Sequence, residues 1–113
     1  MDSRYDLIRH LTPHESKKKG TALADAGKIA SFLKEKFGSR VWGIGSLFSD
    51  DGVFRDDSDI DLVADSIPAE EFIHACVECE RLTEFPVDLI PLESAGDLIV
   101  RRIETLDGAS RLE

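Results

Sequence analysis

From Ser16 to Phe37 apolar residues recur at three- and four-residue steps, with Leu23, Ala26, Ile29, Ala30, Leu33 and Phe37 on one stripe. That period predicts an amphipathic helix. Lys17, Lys18, Lys19, Lys28, Lys34 and Lys36 fall mostly off the stripe, and Gly38 supplies a stop. Ahead of it, Tyr5, Leu7, Ile8 and Leu11 predict a short helix within residues 1–13, interrupted by Pro13. Beyond Gly38 the period changes. Arg40 to Gly45 reads as a buried strand, and Asp59 to Ala64 as a second strand that begins with strict polar and apolar alternation. Between them Ser46 to Ser58 is rich in Ser, Asp and Gly and carries no period. Pro68, Glu70 and Glu71 open a helix that runs through Phe72, Ile73, Cys76, Val77 and Leu82. Val87 to Leu92 forms a third strand with Pro86 and Pro91 at its ends, and a last helix from about Ser94 to Leu106 uses Leu98, Ile99, Ile103 and Leu106. The order helix, strand, long loop, strand, helix, strand, helix predicts a mixed α+β (α/β-type) fold, a small sheet of three strands or slightly more packed on helices. No linker or repeat interrupts it, so a single domain is expected over residues 1–113, with 1–15 as an N-terminal extension and 16–106 as the core.

Composition narrows the classes. With 113 residues, 42% hydrophobic and 33% charged, the chain is ordinary for a soluble globular domain and too apolar for a disordered tail. No apolar run reaches the ~18 residues of a membrane span. The start, Met1 to Asp6, lacks the apolar core of a secretory signal, and two cysteines cannot build a disulfide scaffold, so the cytoplasm is the expected compartment. A domain of this size buries only about two-thirds of its unfolded surface, so a homo-oligomer or a partner chain would help it. Twenty-three acidic against 14 basic side chains leave a formal charge of -9, which disfavours direct nucleic-acid binding. The excess is local. Asp50, Asp51, Asp56, Asp57, Asp59, Asp61 and Asp65 lie within residues 45–65, where Arg55 is the only base.

The chemistry gathers at the same place. Asp59 and Asp61 are two apart on a predicted strand, so both carboxylates leave one face while Ile60 and Leu62 anchor the other. Carboxylates that close repel unless a cation sits between them, and hard divalent ions such as Mg²⁺ take such oxygen ligands together with phosphate oxygens. Asp88 is a lone acid between Val87 and Leu89 on the third strand; if that strand lies beside the second, three carboxylates converge. Gly45-Ser46 closes the first strand: glycine permits close backbone approach to a phosphate, and the serine offers donors.

Gly45-Ser46, then a spacer of about a dozen residues, then Ser58-Asp59-Ile60-Asp61-Leu62, and later Pro86-Val87-Asp88-Leu89-Ile90, resembles the DNA polymerase beta-like nucleotidyltransferase superfamily, and more narrowly its minimal nucleotidyltransferase domains. The resemblance covers roughly residues 20–106. It implies a nucleotidyltransferase fold and a reaction in which two Mg²⁺ ions bridge the carboxylates and a nucleoside triphosphate, an acceptor hydroxyl attacks the α-phosphorus, and pyrophosphate leaves. On this sequence Asp59, Asp61 and Asp88 would be both the metal ligands and the catalytic carboxylates, and Gly45 and Ser46 would hold phosphates. Family members often carry an Arg-containing loop after Gly-Ser; here Leu47 and Phe48 follow, which leaves Arg55 to meet the outer phosphate charge. Minimal members are often antitoxins beside a HEPN-type ribonuclease toxin, which implies AMP transfer from ATP to a tyrosine of that partner. Two other functions compete: a non-catalytic binding module that inhibits a partner ribonuclease by contact, and a small-molecule, aminoglycoside-type transferase. Asp50, Asp51, Asp56 and Asp57 read as solvated turn formers and Asp65 as a strand terminator. Cys76 and Cys79 lie inside a helix and read as packing, and Trp42 reads as core while Phe48 is free to stack on a base.

Overall fold

The computed structural model describes residues 13–48, 58–105 and 109–112. The proposed N-terminal helix, most of the acidic loop, Arg55 and Leu106 lie outside them. Helix α1 spans Pro13–Phe37. It begins at Pro13 and not at Ser16, because a proline is tolerated in the first helical turn, where its missing N–H has no partner to lose. Gly38, at φ 69°, ends it and donates its N–H to the Lys34 carbonyl at 2.8 Å. The buried stripe is Ala22, Ala26, Ile29, Ala30 and Leu33, each fully buried. Leu23, expected on that stripe, is rotated off it by one residue and is exposed.

Strand β1 is Val41–Ile44, followed by a 3-10 turn at Ser46–Phe48; β2 is Ile60–Ala64. A 3-10 turn at Ala69–Glu71 leads into α2, Phe72–Arg81. Strand β3 is Val87–Pro91, then a 3-10 turn at Leu92–Ser94, α3 at Asp97–Thr105 and β4 at Ala109–Arg111. The sheet order is β3-β2-β1-β4, with β1 antiparallel to both neighbours and β2 parallel to β3. Strand β4 extends the core past residue 106. Ala-Ser-Arg has no strand pattern of its own, and its place is set by backbone pairing to Trp42, Gly43 and Ile44. The last helix starts later than expected because Ala95 is extended and separates the 3-10 turn from α3.

Alternation along β2 divides the molecule into two layers. Ile60, Leu62 and Ala64 face α1 and α2 in a core completed by Val41, Leu47, Ala75, Cys79 and Leu89. Val63 faces the other way, with Trp42, Ile44, Ile103 and Ala109, under α3. Helix α2 buries Ala75 and Cys79, while its apolar Ile73 and Val77 are exposed. Leu98 of α3 is likewise exposed. Thr83 Oγ1 donates to Asp25 Oδ2 at 2.7 Å and ties the α2–β3 connection to α1.

Candidate active site

Two strand pairings converge on Asp61. Across the parallel ladder its partner is Asp88, so the two Cα atoms sit at the inter-strand spacing of about 4.8 Å with side chains on one face. Across the antiparallel ladder its partner is Ile44, the residue before Gly45. Gly45 turns the chain out of β1 at φ 86°, and a Cβ placed on it would lie 2.8 Å from Asp61 Oδ2. The glycine is therefore required twice, by its backbone angle and by the carboxylate lying against it. Asp59 stands just ahead of β2 and is exposed, as is Asp88, while Asp61 is half-buried.

Burial pushes the Asp61 carboxyl above the ordinary range, and the charges of Asp88 and Asp59 push it the same way. All three carboxylates thus bear on one point, at the open end of the sheet face that α3 covers further along. Among the described residues, no group of three His, Cys, Asp or Glu stands close enough to hold a metal ion as arranged. Like charges resist such an approach, and closing to a shared ligand distance requires a cation between them. The donor set itself fits a hard divalent ion: oxygen only, with Asp61 and Asp88 adjacent and a closely approached glycine beside them.

The turn after Gly45 departs from the expectation of a loop open to solvent. The Phe48 N–H donates to the Gly45 carbonyl at 3.1 Å, Leu47 is fully enclosed in the α1 and α2 core, and Phe48 packs against the same core. The Phe48 ring occupies the space where a Cβ of Gly43 would stand, so it lies on the layer opposite the carboxylates and is not placed to stack on a base there. Sequence reading missed this seat; a glycine inside an apolar strand was the available signal. Trp42 is buried, as expected, with the Arg40 and Arg111 guanidinium carbons 5.4 and 5.1 Å from its ring centre.

Asp65 has a structural part. Its carboxylate accepts from the Arg40 backbone N–H and from Arg40 Nε, each at 2.6 Å. Burial raises its pKa, but these bonds, the Arg40 charge and a Ser66 hydrogen bond outweigh burial and hold it below the usual carboxylate value. Cys76 and Cys79 are free thiols. Burial pushes Cys79 up to about 12, and burial with the nearby charges of Glu80 and Asp88 raises Cys76, so both stay protonated and serve as packing. Among the described residues, no helix is long and apolar enough to cross a membrane.

No family model matches the chain, and no curated protein sequence does. Among solved structures, the fold is similar to that in the crystal structure of the toxin–antitoxin MntA-HpeT, in a mutant with two aspartates, two positions apart, replaced by glutamate. The TM-score is 0.63 at 16% identity, covering 76% of this chain and 70% of that one. At this identity the likeness speaks to architecture alone: the mixed α+β sheet and helices described above share the fold of that structure.

Proposed function

We propose that this chain is a divalent-metal-dependent nucleotidyltransferase that moves a nucleoside monophosphate, AMP from ATP, onto a hydroxyl of a protein partner, and that it serves as the antitoxin of a toxin–antitoxin pair. The observation that carries the reading is the register of Asp61 beside Asp88 with Gly45 pressed against Asp61, on a fold similar to that in a toxin–antitoxin structure. The similarity to a toxin–antitoxin structure supports the partner half of the proposal, and the spacing of Asp59 and Asp61 is that of the two aspartates replaced there.

Asp59, Asp61 and Asp88 would hold Mg²⁺, which supplies Lewis-acid stabilisation to the α-phosphate and to the departing pyrophosphate. The chain's own part is position and proton traffic. Gly45 lets the backbone of the turn come close to the outer phosphates. Asp88, exposed at the strand edge, takes the proton of the acceptor hydroxyl. The acceptor oxygen then forms its bond to the α-phosphorus as the bridging bond to the β-phosphate breaks. A tyrosine of a HEPN-type toxin is the acceptor this reading names.

The test is an intact-mass measurement on the adjacent gene's product after incubation with this protein, Mg²⁺ and each nucleoside triphosphate in turn. A nucleotidyl increment that vanishes with Asp59→Asn and with Asp61→Asn supports the proposal. Tight binding of that product without any increment would assign the chain to contact inhibition instead. Transfer to a small hydroxylated molecule, with none to protein, would assign it to the aminoglycoside-type class.

A further inference from the structure

The turn at Ser46–Phe48 is short and joined to β1 through Gly45, a glycine at positive φ that lies against Asp61. A segment built that way has little of its own to hold it in one place. Among the described residues it is bonded to Gly45 through the Phe48 N–H, at 3.1 Å. What holds it is side-chain packing on the far side of the sheet. Leu47 is 2% exposed in the α1 and α2 core. The Phe48 ring enters the same core tip first, with its Cζ and both Cε atoms crowding the position a Gly43 Cβ would take. Gly43 has ordinary extended geometry within β1, where its Cα pairs with Leu62 and Ser110, so no backbone angle calls for glycine there. A glycine in a buried strand interior forgoes packing and conformational restriction. The absence of a side chain at residue 43 is therefore explained by the ring that fills its place.

We propose that Gly43 and Phe48 form a socket and peg on the layer opposite the carboxylates, and that Phe48 is a positioning residue setting how the Gly45–Phe48 turn meets the outer phosphates of a nucleotide. The inference rests on the nucleotidyltransferase reading above. Phe48 touches neither the nucleotide nor the carboxylates; it acts through the turn. The seat also joins the phosphate turn to β1 itself, and so to the strand that places Gly45 against Asp61. Movement of the ring out of the socket lets the turn shift relative to Asp61 while the sheet register persists.

A double-substitution cycle on the full chain tests it, with Mg²⁺ and a non-hydrolysable ATP analogue as the probe and dissociation constants read by calorimetry. Phe48→Ala empties the peg, and Gly43→Val, well suited to a strand, fills the socket and ejects the ring. Each alone is expected to weaken binding about tenfold, the scale at which small misplacements of a binding segment are felt. The double variant, with valine standing in the space the ring left, is expected to bind within about threefold of the parent. Hydrogen exchange of the Phe48 amide, which donates to Gly45, is followed alongside: protection falls in each single variant and returns in the double. A global loss of fold would instead expose every strand amide, and in that event Phe48→Leu, which keeps an apolar peg of reduced reach, gives the same comparison with a smaller expected loss. Parental affinity in both single variants, or additive losses in the double, would overturn the inference while leaving the functional reading standing. A parent chain that binds no nucleotide would overturn the functional reading and this inference with it.

Discussion

Asp61 and Asp65 lie four residues apart at opposite ends of β2, and their surroundings drive them in opposite directions. Asp61 is half-buried next to Asp88 and Asp59, with a glycine against it; burial and those two charges hold its carboxyl above the ordinary range. Asp65 is buried against the Arg40 amide and guanidinium, and its carboxyl is held below that range. One end of the strand concentrates negative charge that no base among the described residues relieves. The other end contains its own relief. Because β1 and β2 are antiparallel, the Arg40–Asp65 contact closes the strand pair at the end remote from Ile44 and Asp61, and so helps hold the register that brings Gly45 to Asp61. The same residue type at the two ends of one strand is thus left among like charges at one end and tied into the fold at the other.

The largest effect that would break this contrast belongs to Asp61. Asp61→Asn is expected to reduce Mg²⁺-dependent nucleotidyl transfer about a thousandfold, the scale of removing one charge-stabilising group from a site of this kind; labelled-nucleotide incorporation measures it, and activity near the parental level would remove Asp61 from the mechanism. Next comes Gly45→Ala. A left-handed angle costs a non-glycine residue about 1–2 kcal/mol, and the new Cβ would meet Asp61 Oδ2 at 2.8 Å. Transfer should fall about 10–100-fold through displacement of that carboxylate, with a lower denaturation midpoint; a variant altered in stability alone would show that the turn is not part of the site.

Asp65→Asn should do the reverse. It removes charge-assisted bonds from a buried group and is expected to cost about 2 kcal/mol in urea unfolding at neutral pH, with transfer below the unfolding range kept within about threefold. The sign of its pH dependence follows from a depressed folded pKa. The contribution is present above the unfolded value of 3.8 and is lost as pH falls through the folded value. Asp61 has a raised folded pKa, so its protonation favours folding at low pH and that advantage is lost as pH rises from 3.8 through the folded value. The smallest expected effect follows: Asp61→Asn gains stability at neutral pH, at most about 1 kcal/mol because solvent screens a half-exposed carboxylate, and the gain disappears in acid. Unfolding curves of the two variants at several values between about pH 3 and pH 7 should therefore move in opposite senses relative to the parent. Parallel shifts would end the comparison.

Much of this was legible along the chain. The period of α1, the alternation that begins at Asp59, and the isolated acid between Val87 and Leu89 are local facts, and they anticipated the elements and the influence of Asp59 on Asp61. Local pattern misjudged a helix face where one residue of rotation decides burial, as with Leu23 against Ala22. It also left Phe48 free to stack on a base, since nothing in Leu-Phe after Gly-Ser says which layer the ring enters.

The amino-acid sequence by itself determined the alternation, the helix periods, the glycines and the charge concentrated in residues 45–65, because these depend on neighbours within a turn or two. Only the tertiary structure decided that β3 lies parallel to β2 with Asp88 opposite Asp61, that β4 joins the far edge beside β1, that Arg40 reaches Asp65, and that Phe48 fills the place of a side chain at Gly43. Each of these pairs residues through strand order and packing, and a one-residue change of register would send every side chain of a strand to the other face. Register is a property of the assembled sheet, and no single segment carries it.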